Sequence, residues 1–422
     1  MDGPGRAGVL ADRRFVLLSG ARMVSVFGNG LGRVALAFGV LALPPASPAK
    51  LSLVLAAQAL PQLALVLVGG LLGDRFARCQ VMVVAELLAG AGYLGLAVMV
   101  LTARAPMPAL LIAAGLAGVG TALFLPSANG IVAEFIEPAQ LQSANSWLRM
   151  SQNLGLVCGL AISGVLVALI GPGWALMIDA GSFLISAVLI AAMALPRLAR
   201  GSSSSGWVEL RLGWREFSSR QWLWVVVVQF AVMLAAANAT VGVLGPSLAQ
   251  RDLGGARVWA LLIGAQAAGT VLGAGAARKL RVRRPILVAV LVTVGFAAPM
   301  FTLGLGAPLL ISGLVMFGCG VASDIFGVLW ATTMQREIPE ELLSRVSAYD
   351  LFGSIAFAPL GLVIAGPVAS VVGLRAALVG CGCVALLATG AALLSPAVRG
   401  LRAPPVSMPA SASVQAALKD SA

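Results

Sequence analysis

The 422-residue sequence predicts an all-α integral membrane protein of about twelve transmembrane helices, arranged as two six-helix bundles with both termini cytoplasmic. Three observations predict it: a composition that no water-soluble surface can carry, apolar runs of bilayer length in regular succession, and short motifs that recur at an offset of about 200 residues.

Hydrophobic residues make up 59% of the chain, charged residues 10%, and the mean hydropathy is +0.98, so lipid must be the solvent for most of the surface. The net charge of +12 comes from Lys and Arg placed mostly in short segments between apolar runs. That placement is a topology signal and not a nucleic-acid-binding patch. Basic residues concentrate at the termini and in the loops after even-numbered spans, which puts both termini in the cytoplasm of a multi-pass protein of the cell membrane.

The first apolar run, Phe15 to Leu43, is too long for a signal-peptide core and is read as a retained helix. Five more spans follow near Leu51 to Gly73, Cys79 to Leu101, Pro108 to Ile131, Ser143 to Ile170 and Trp174 to Leu195. The second set lies near Trp222 to Ser247, Val258 to Ala277, Pro285 to Leu305, Pro308 to Met334, Val346 to Val372 and Leu374 to Leu394. Each is about as long as a helix must be to cross the hydrocarbon layer with its backbone groups paired internally. Residues 196–221 form the one long polar segment and read as a cytoplasmic linker between bundles 15–195 and 222–395. Residues 1–14 are a cytoplasmic tail, and the Ala/Pro/Ser-rich 396–422 a disordered one.

The halves echo each other. Gly159-Leu-Ala-Ile-Ser-Gly164 in span five is matched by Gly361-Leu-Val-Ile-Ala-Gly366 in span eleven, small residues of the kind that let helices approach closely. The loop after span two, with Gly70 and Arg75, is matched after span eight by Gly273 and Arg278. Two such halves around a midplane site are the arrangement that alternating access requires.

Gly70-Leu-Leu-Gly-Asp74-Arg75-Phe-Ala-Arg78 resembles the loop signature of the major facilitator superfamily, in the loop where that family carries it. Asp74 suits a helix N-terminus, and Arg75 and Arg78 are placed to pair with acids such as Glu134. The resemblance implies a gating latch; Ala77 replaces the usual Gly, and in the second copy Ala277 stands where the acid belongs. Gly159 to Gly164 resembles the span-five motif of drug exporters, with Leu160 in place of its Pro. Stretches such as Leu141-Gln-Ser-Ala-Asn145, Asp179-Ala-Gly-Ser-Phe183 and Leu343-Ser-Arg-Val-Ser347 are similar to the enterobactin-exporter-like and macrolide-efflux-like branch. That branch implies a monomeric secondary transporter exporting a small amphipathic molecule, drug, antibiotic or siderophore, in exchange for protons. Uptake, or a transporter-like sensor or assembly protein that no longer transports, stays open beside it.

Charges inside a span are costly and kept for a reason. Arg22 with Glu86, and Arg33 with Asp179, lie at matching depths along their helices and are candidate buried ion pairs. Asp324 stands alone in the middle of span ten, which the resemblance places on the central cavity, and is the candidate for proton coupling or a cationic substrate; an ion pair across the cavity with Arg22 or Arg33, or a neutral hydrogen-bonded acid, is the alternative. Asn29 and Asn238 offer neutral hydrogen bonds to substrate. The chain has no histidine, which excludes Ser-His catalysis and His-ligated zinc or haem. None of Lys50, Lys279 and Lys419 follows a glycine, so a nucleotide-binding phosphate loop is absent. No enzyme, metal, cofactor or nucleic-acid partner is expected, and the five cysteines read as reduced packing residues.

Overall fold

The computed structural model describes residues 6–75, 77–137, 140–194, 206–279 and 282–401. Residues 196–205 of the linker and 402–422 of the tail lie outside the described residues, and the tail opens on a short helix, Pro396–Gly400, where disorder was expected. Every element among the described residues is helical, and eleven helices are long and apolar enough to cross a bilayer. A further helix, Pro48–Arg75, stands where the sequence places its second span. In order the twelve are α1 (Arg13–Ala42), α2 (Pro48–Arg75), α3 (Arg78–Thr102), α4 (Met107–Gly130), α5 (Leu141–Ile170) and α6 (Pro172–Ala191). Then come α7 (Gln221–Leu253), α8 (Ala256–Lys279), α9 (Pro285–Gly304), α10 (Leu309–Glu337), α11 (Arg345–Val372) and α12 (Leu374–Leu394).

Local chemistry sets where these helices begin and turn. Asp12 caps α1, its carboxylate accepting from the Arg14 N–H at 2.8 Å. Proline opens α6 and α9, where its missing N–H costs nothing. The turns from α5 to α6 and from α11 to α12 each pass through a glycine at φ 87°, Gly171 and Gly373, a conformation that L-residues with a Cβ avoid. Three helices depart from simple α-geometry: α7 carries π-helical segments at Ala239–Leu244 and Ala249–Leu253, α9 breaks at Thr293, and α11 breaks between Ile355 and Ala358. Between the halves a 14-residue helix, Gly206–Ser219, packs Phe217 and Trp214 against Tyr349 near the start of α11.

Helix pairing repeats. In the first half α1 packs on α5, α2 on α4 and α3 on α6; in the second α7 packs on α11, α8 on α10 and α9 on α12. Glycines set the closest approaches: a Cβ on Gly159 would overlap the Phe27 carbonyl of α1, and one on Gly361 the Ala235 carbonyl of α7. One turn and a half further on, the same helices reach across. Gly164 of α5 lies against Ala256 and Ala260 of α8, and Gly366 of α11 against Pro48, Ala49 and Ser52 of α2. The Gly366 N–H donates to Ser52 Oγ at 2.7 Å. Ser52 and Ala256 begin their helices while Gly164 and Gly366 are near the ends of theirs, so both seams lie at the end of the molecule far from the chain termini.

Candidate functional site

Three polar groups of residues line the helices that the sequence singles out. The first lies where α1, α3 and α6 meet. Glu86, 2% exposed, accepts from Ser186 Oγ of α6 at 2.8 Å and from Ser25 Oγ of α1 at 3.3 Å. Ser25 and Glu86 share a cavity of about 40 Å³ with Asn29, Thr121 and Phe124. Asn29 itself donates to the Ser25 carbonyl at 2.9 Å, one turn back on its own helix. Arg22 reaches the other way: its Nη2 donates to Gln152 Oε1 at 3.1 Å, its Nη1 to the Ala128 carbonyl at 3.4 Å, and its guanidinium lies 5.5 Å from the Phe124 ring centroid.

Asp179 of α6 is fully buried, and neither carboxyl oxygen has a hydrogen-bond partner. It fills the space left by two glycines of α1: a Cβ on Gly28 would meet Asp179 Oδ1, and one on Gly32 would overlap Asp179 Oδ2. Tyr93 of α3 closes the same space, stacking on Phe183 at 5.3 Å and accepting from Gln58 Nε2 of α2 at 2.8 Å.

Neither expected ion pair is in contact in this structure. Arg33 follows Gly32 by one residue and so projects about 100° around α1 from the face that meets Asp179; its side chain is exposed. Arg22 is drawn toward α4 and α5 by its bonds to Ala128 and Gln152, while Glu86 is taken up by two serine hydroxyls.

The second group is the loop after α2. Arg78 Nε lies 3.6 Å from Glu134 Oε1, joining the start of α3 to the turn after α4. Gly70, Asp74 and Arg75 are on the last turns of α2, and their side chains lie outside the described residues.

The third is in the second half. Asp324 of α10 is half-buried, its Cβ beside Gly273 of α8 and its Oδ2 covered and without a hydrogen-bond partner. Its neighbour Ser323 lines a cavity of about 170 Å³ between α7, α8, α9 and α10. Phe230, Met233, Phe296 and Met316 belong to its apolar wall, and Thr240 and Gln266 are polar points on it. Asn238 donates to the Leu234 carbonyl at 2.8 Å, repeating on α7 what Asn29 does on α1. An acid that sequence reasoning passed over is Asp350, whose Oδ2 accepts from Trp330 Nε1 of α10 at 3.1 Å. It lies so near the start of its span that hydropathy alone counts it as boundary. None of the five cysteines is joined in a disulfide.

The family described as the Major Facilitator Superfamily matches residues 15–358. The multidrug efflux pump Tap of Mycolicibacterium fortuitum is 27% identical over 406 residues, covering 92% of this chain and 96% of its own. The enterobactin exporter EntS of Shigella boydii is 29% identical over 321 residues, covering 72% of this chain and 74% of its own. Among solved structures, the nucleoside transporter NupG superposes with a TM-score of 0.73 at 12% identity over 92% of this chain and 99% of its own. A bacterial homologue of the lysosomal transporter Spinster, inward-facing, gives 0.69 at 17% identity over 96% of this chain and all (100%) of its own. Twelve helices, eleven of them long and apolar enough to cross a bilayer, paired alike in two halves, with glycine seams between the halves and a family match across most of the chain, lead to one assignment: this multi-pass membrane protein, a transporter and not an enzyme, belongs to the Major Facilitator Superfamily.

Proposed function

We propose that the protein exports a small amphipathic molecule across the cell membrane in exchange for protons, by alternating access of its two halves. The observation that carries this reading is its likeness to an efflux pump along nearly the whole chain, 92% of it. The second-half cavity supports the substrate class. Its Met and Phe side chains adapt to different apolar shapes, and Thr240, Gln266 and Ser323 offer neutral hydrogen bonds. Asp324, beside that cavity, is the group we assign to the proton or to a cationic substrate. The loop carrying Gly70, Asp74, Arg75 and Arg78 with Glu134 serves as the latch at the end nearest the termini, which we place in the cytoplasm, and the chain works as a monomer. Residues 15–195 and 222–395 are the bodies that move.

Everted membrane vesicles with an imposed pH gradient, offered ethidium, erythromycin and enterobactin in turn, test the reading. At least one compound accumulates with the wild type and not with Asp324→Asn, while the variant is made and inserted normally. Accumulation that ignores the gradient excludes proton coupling, and equal accumulation by Asp324→Asn removes that residue from the mechanism.

A further inference from the structure

The junction of three helices around Glu86 occurs twice. In the second half, α7, α9 and α12 meet through Gln229, whose Nε2 donates to Thr293 Oγ1 at 3.0 Å and to Thr389 Oγ1 at 3.3 Å. These residues occupy the places of Ser25, Glu86 and Ser186 in α1, α3 and α6, at sequence offsets of about 205 residues. One half joins the three helices with an amide and hydroxyls alone, so the helix contact itself requires no acid. Asp179 repeats the lesson. At its place on α12 is Gly382, with the ring of Phe301 against it. Both acids are thus additions that only the first half carries.

They belong to one buried column. Asp179, Ser182 and Ser186 recur on one face of α6 and are 0%, 5% and 0% exposed. Glu86 and Tyr93 share a face of α3, and Ser25, Gly28 and Gly32 a face of α1. Seven residues of helix separate Asp179 from Ser186, so the two carboxyls are about 10 Å apart along the bundle, with the Ser182 hydroxyl between. Among the described residues the charged and titratable groups facing them are few: Arg22 from α1 near Glu86, Tyr93 from α3 near Asp179, and the exposed Arg33 of α1; α2, α4 and α5 contribute the neutral Gln58, Thr121 and Gln152.

We propose that Glu86 and Asp179 form a proton-binding pair inside the first half, separate from Asp324, that holds one proton and moves it between the two carboxyls. In the conformation described, the burial of Asp179 assigns the pair's proton to it. A fully buried carboxylate with both oxygens unpartnered is far costlier than the neutral acid, whereas Glu86 has two hydroxyl donors and the charge of Arg22 close by. When the proton passes through the column, Asp179 becomes the carboxylate and Glu86 the acid; the pair keeps one negative charge, which Arg22 balances. The 40 Å³ cavity holds room for a water beside Glu86, Asn29 and Thr121, and is the point where the proton enters or leaves.

For its transport consequence this rests on proton-coupled export, but the site itself is tested without transport. Infrared spectra of the purified protein in lipid nanodiscs at neutral pH are expected to show a carboxylic-acid C=O band that Asp324→Asn retains and Asp179→Asn loses. A band that survives Asp179→Asn, or no band in the wild type, overturns the assignment. Should Asp179→Asn not fold, an Asp324→Asn, Asp350→Asn protein carrying carboxyl-13C aspartate must shift the band; an unshifted band overturns it equally. In proteoliposomes, Glu86→Gln is expected to lose gradient-driven ethidium movement by on the order of a hundredfold while keeping ethidium exchange without a gradient. Undiminished gradient-driven movement in Glu86→Gln overturns the transfer between the two acids. A wild type indifferent to the gradient overturns proton-coupled export instead, and the infrared result then decides the site alone.

Discussion

Glu86 accepts from hydroxyls on two other helices, so its carboxyl joins α1, α3 and α6 as well as carrying charge. Truncation by Glu86→Ala strands two buried hydroxyls and is expected to cost about 3 kcal/mol, while Glu86→Gln, which keeps an acceptor of similar shape, costs about 1 kcal/mol. Denaturant unfolding in mild detergent measures the difference, and equal losses would mean the serines do not depend on that acceptor. The sequence reveals that Arg22, Glu86, Arg33 and Asp179 are intramembrane charges, and helical rise gives their depth. It does not reveal azimuth against a partner helix: Gly28 and Gly32 face Asp179, and Arg33, one residue on, does not. Gln229 stands out as an amide in an apolar run and reads as a bond between helices, but nothing marks Thr293 and Thr389 as its partners.

At the scale of elements, the repeated Gly-x-x-x-x-Gly segments were legible as helix-packing residues, since small residues at that spacing have few other uses in a membrane. What spacing alone does not show is that the two glycines of each motif face different partners. Gly159 and Gly361 pack inside their own halves, and Gly164 and Gly366 pack on the other half. A Cβ on Gly164 would overlap that of Ala260, so α5 and α8 must part slightly to reach disulfide spacing; with that adjustment a Gly164→Cys, Ala260→Cys pair is expected to cross-link under oxidation and stop transport until reduced. Replacement Gly366→Leu, which drives a side chain into the α2 backbone, is expected to hold the far end open and raise labelling of Ser52→Cys by an impermeant maleimide several-fold. Unchanged labelling would show that α11 can slide past the obstruction. The π-helical segments of α7 had no sequence warning either: they flank the turn at Gly245, which lies against the Trp259 ring of the next helix, and an apolar run does not reveal such a contact.

For the whole molecule, hydropathy and repetition were enough to fix the fold class, because the bilayer leaves few ways to satisfy a backbone. The relative position of the two halves was not, since it depends on the four helices that cross between them. If the halves move as bodies, locking the far end with the 164–260 cross-link is expected to leave residues near Arg78 and Glu134 open to reagents from the side of the termini. A tag placed after residue 422 is expected to resist protease in intact cells and to be cut only after lysis, as a cytoplasmic end requires; cleavage in intact cells would invert the orientation.

The seams at Gly164 and Gly366 are equivalent contacts made by equivalent helices, each reaching from one half into the other. A rigid tilt of the halves that parts one seam parts its counterpart as well. The barrier at the end far from the termini is therefore expected to give way in one step, with a substitution in either seam changing the rate of that step.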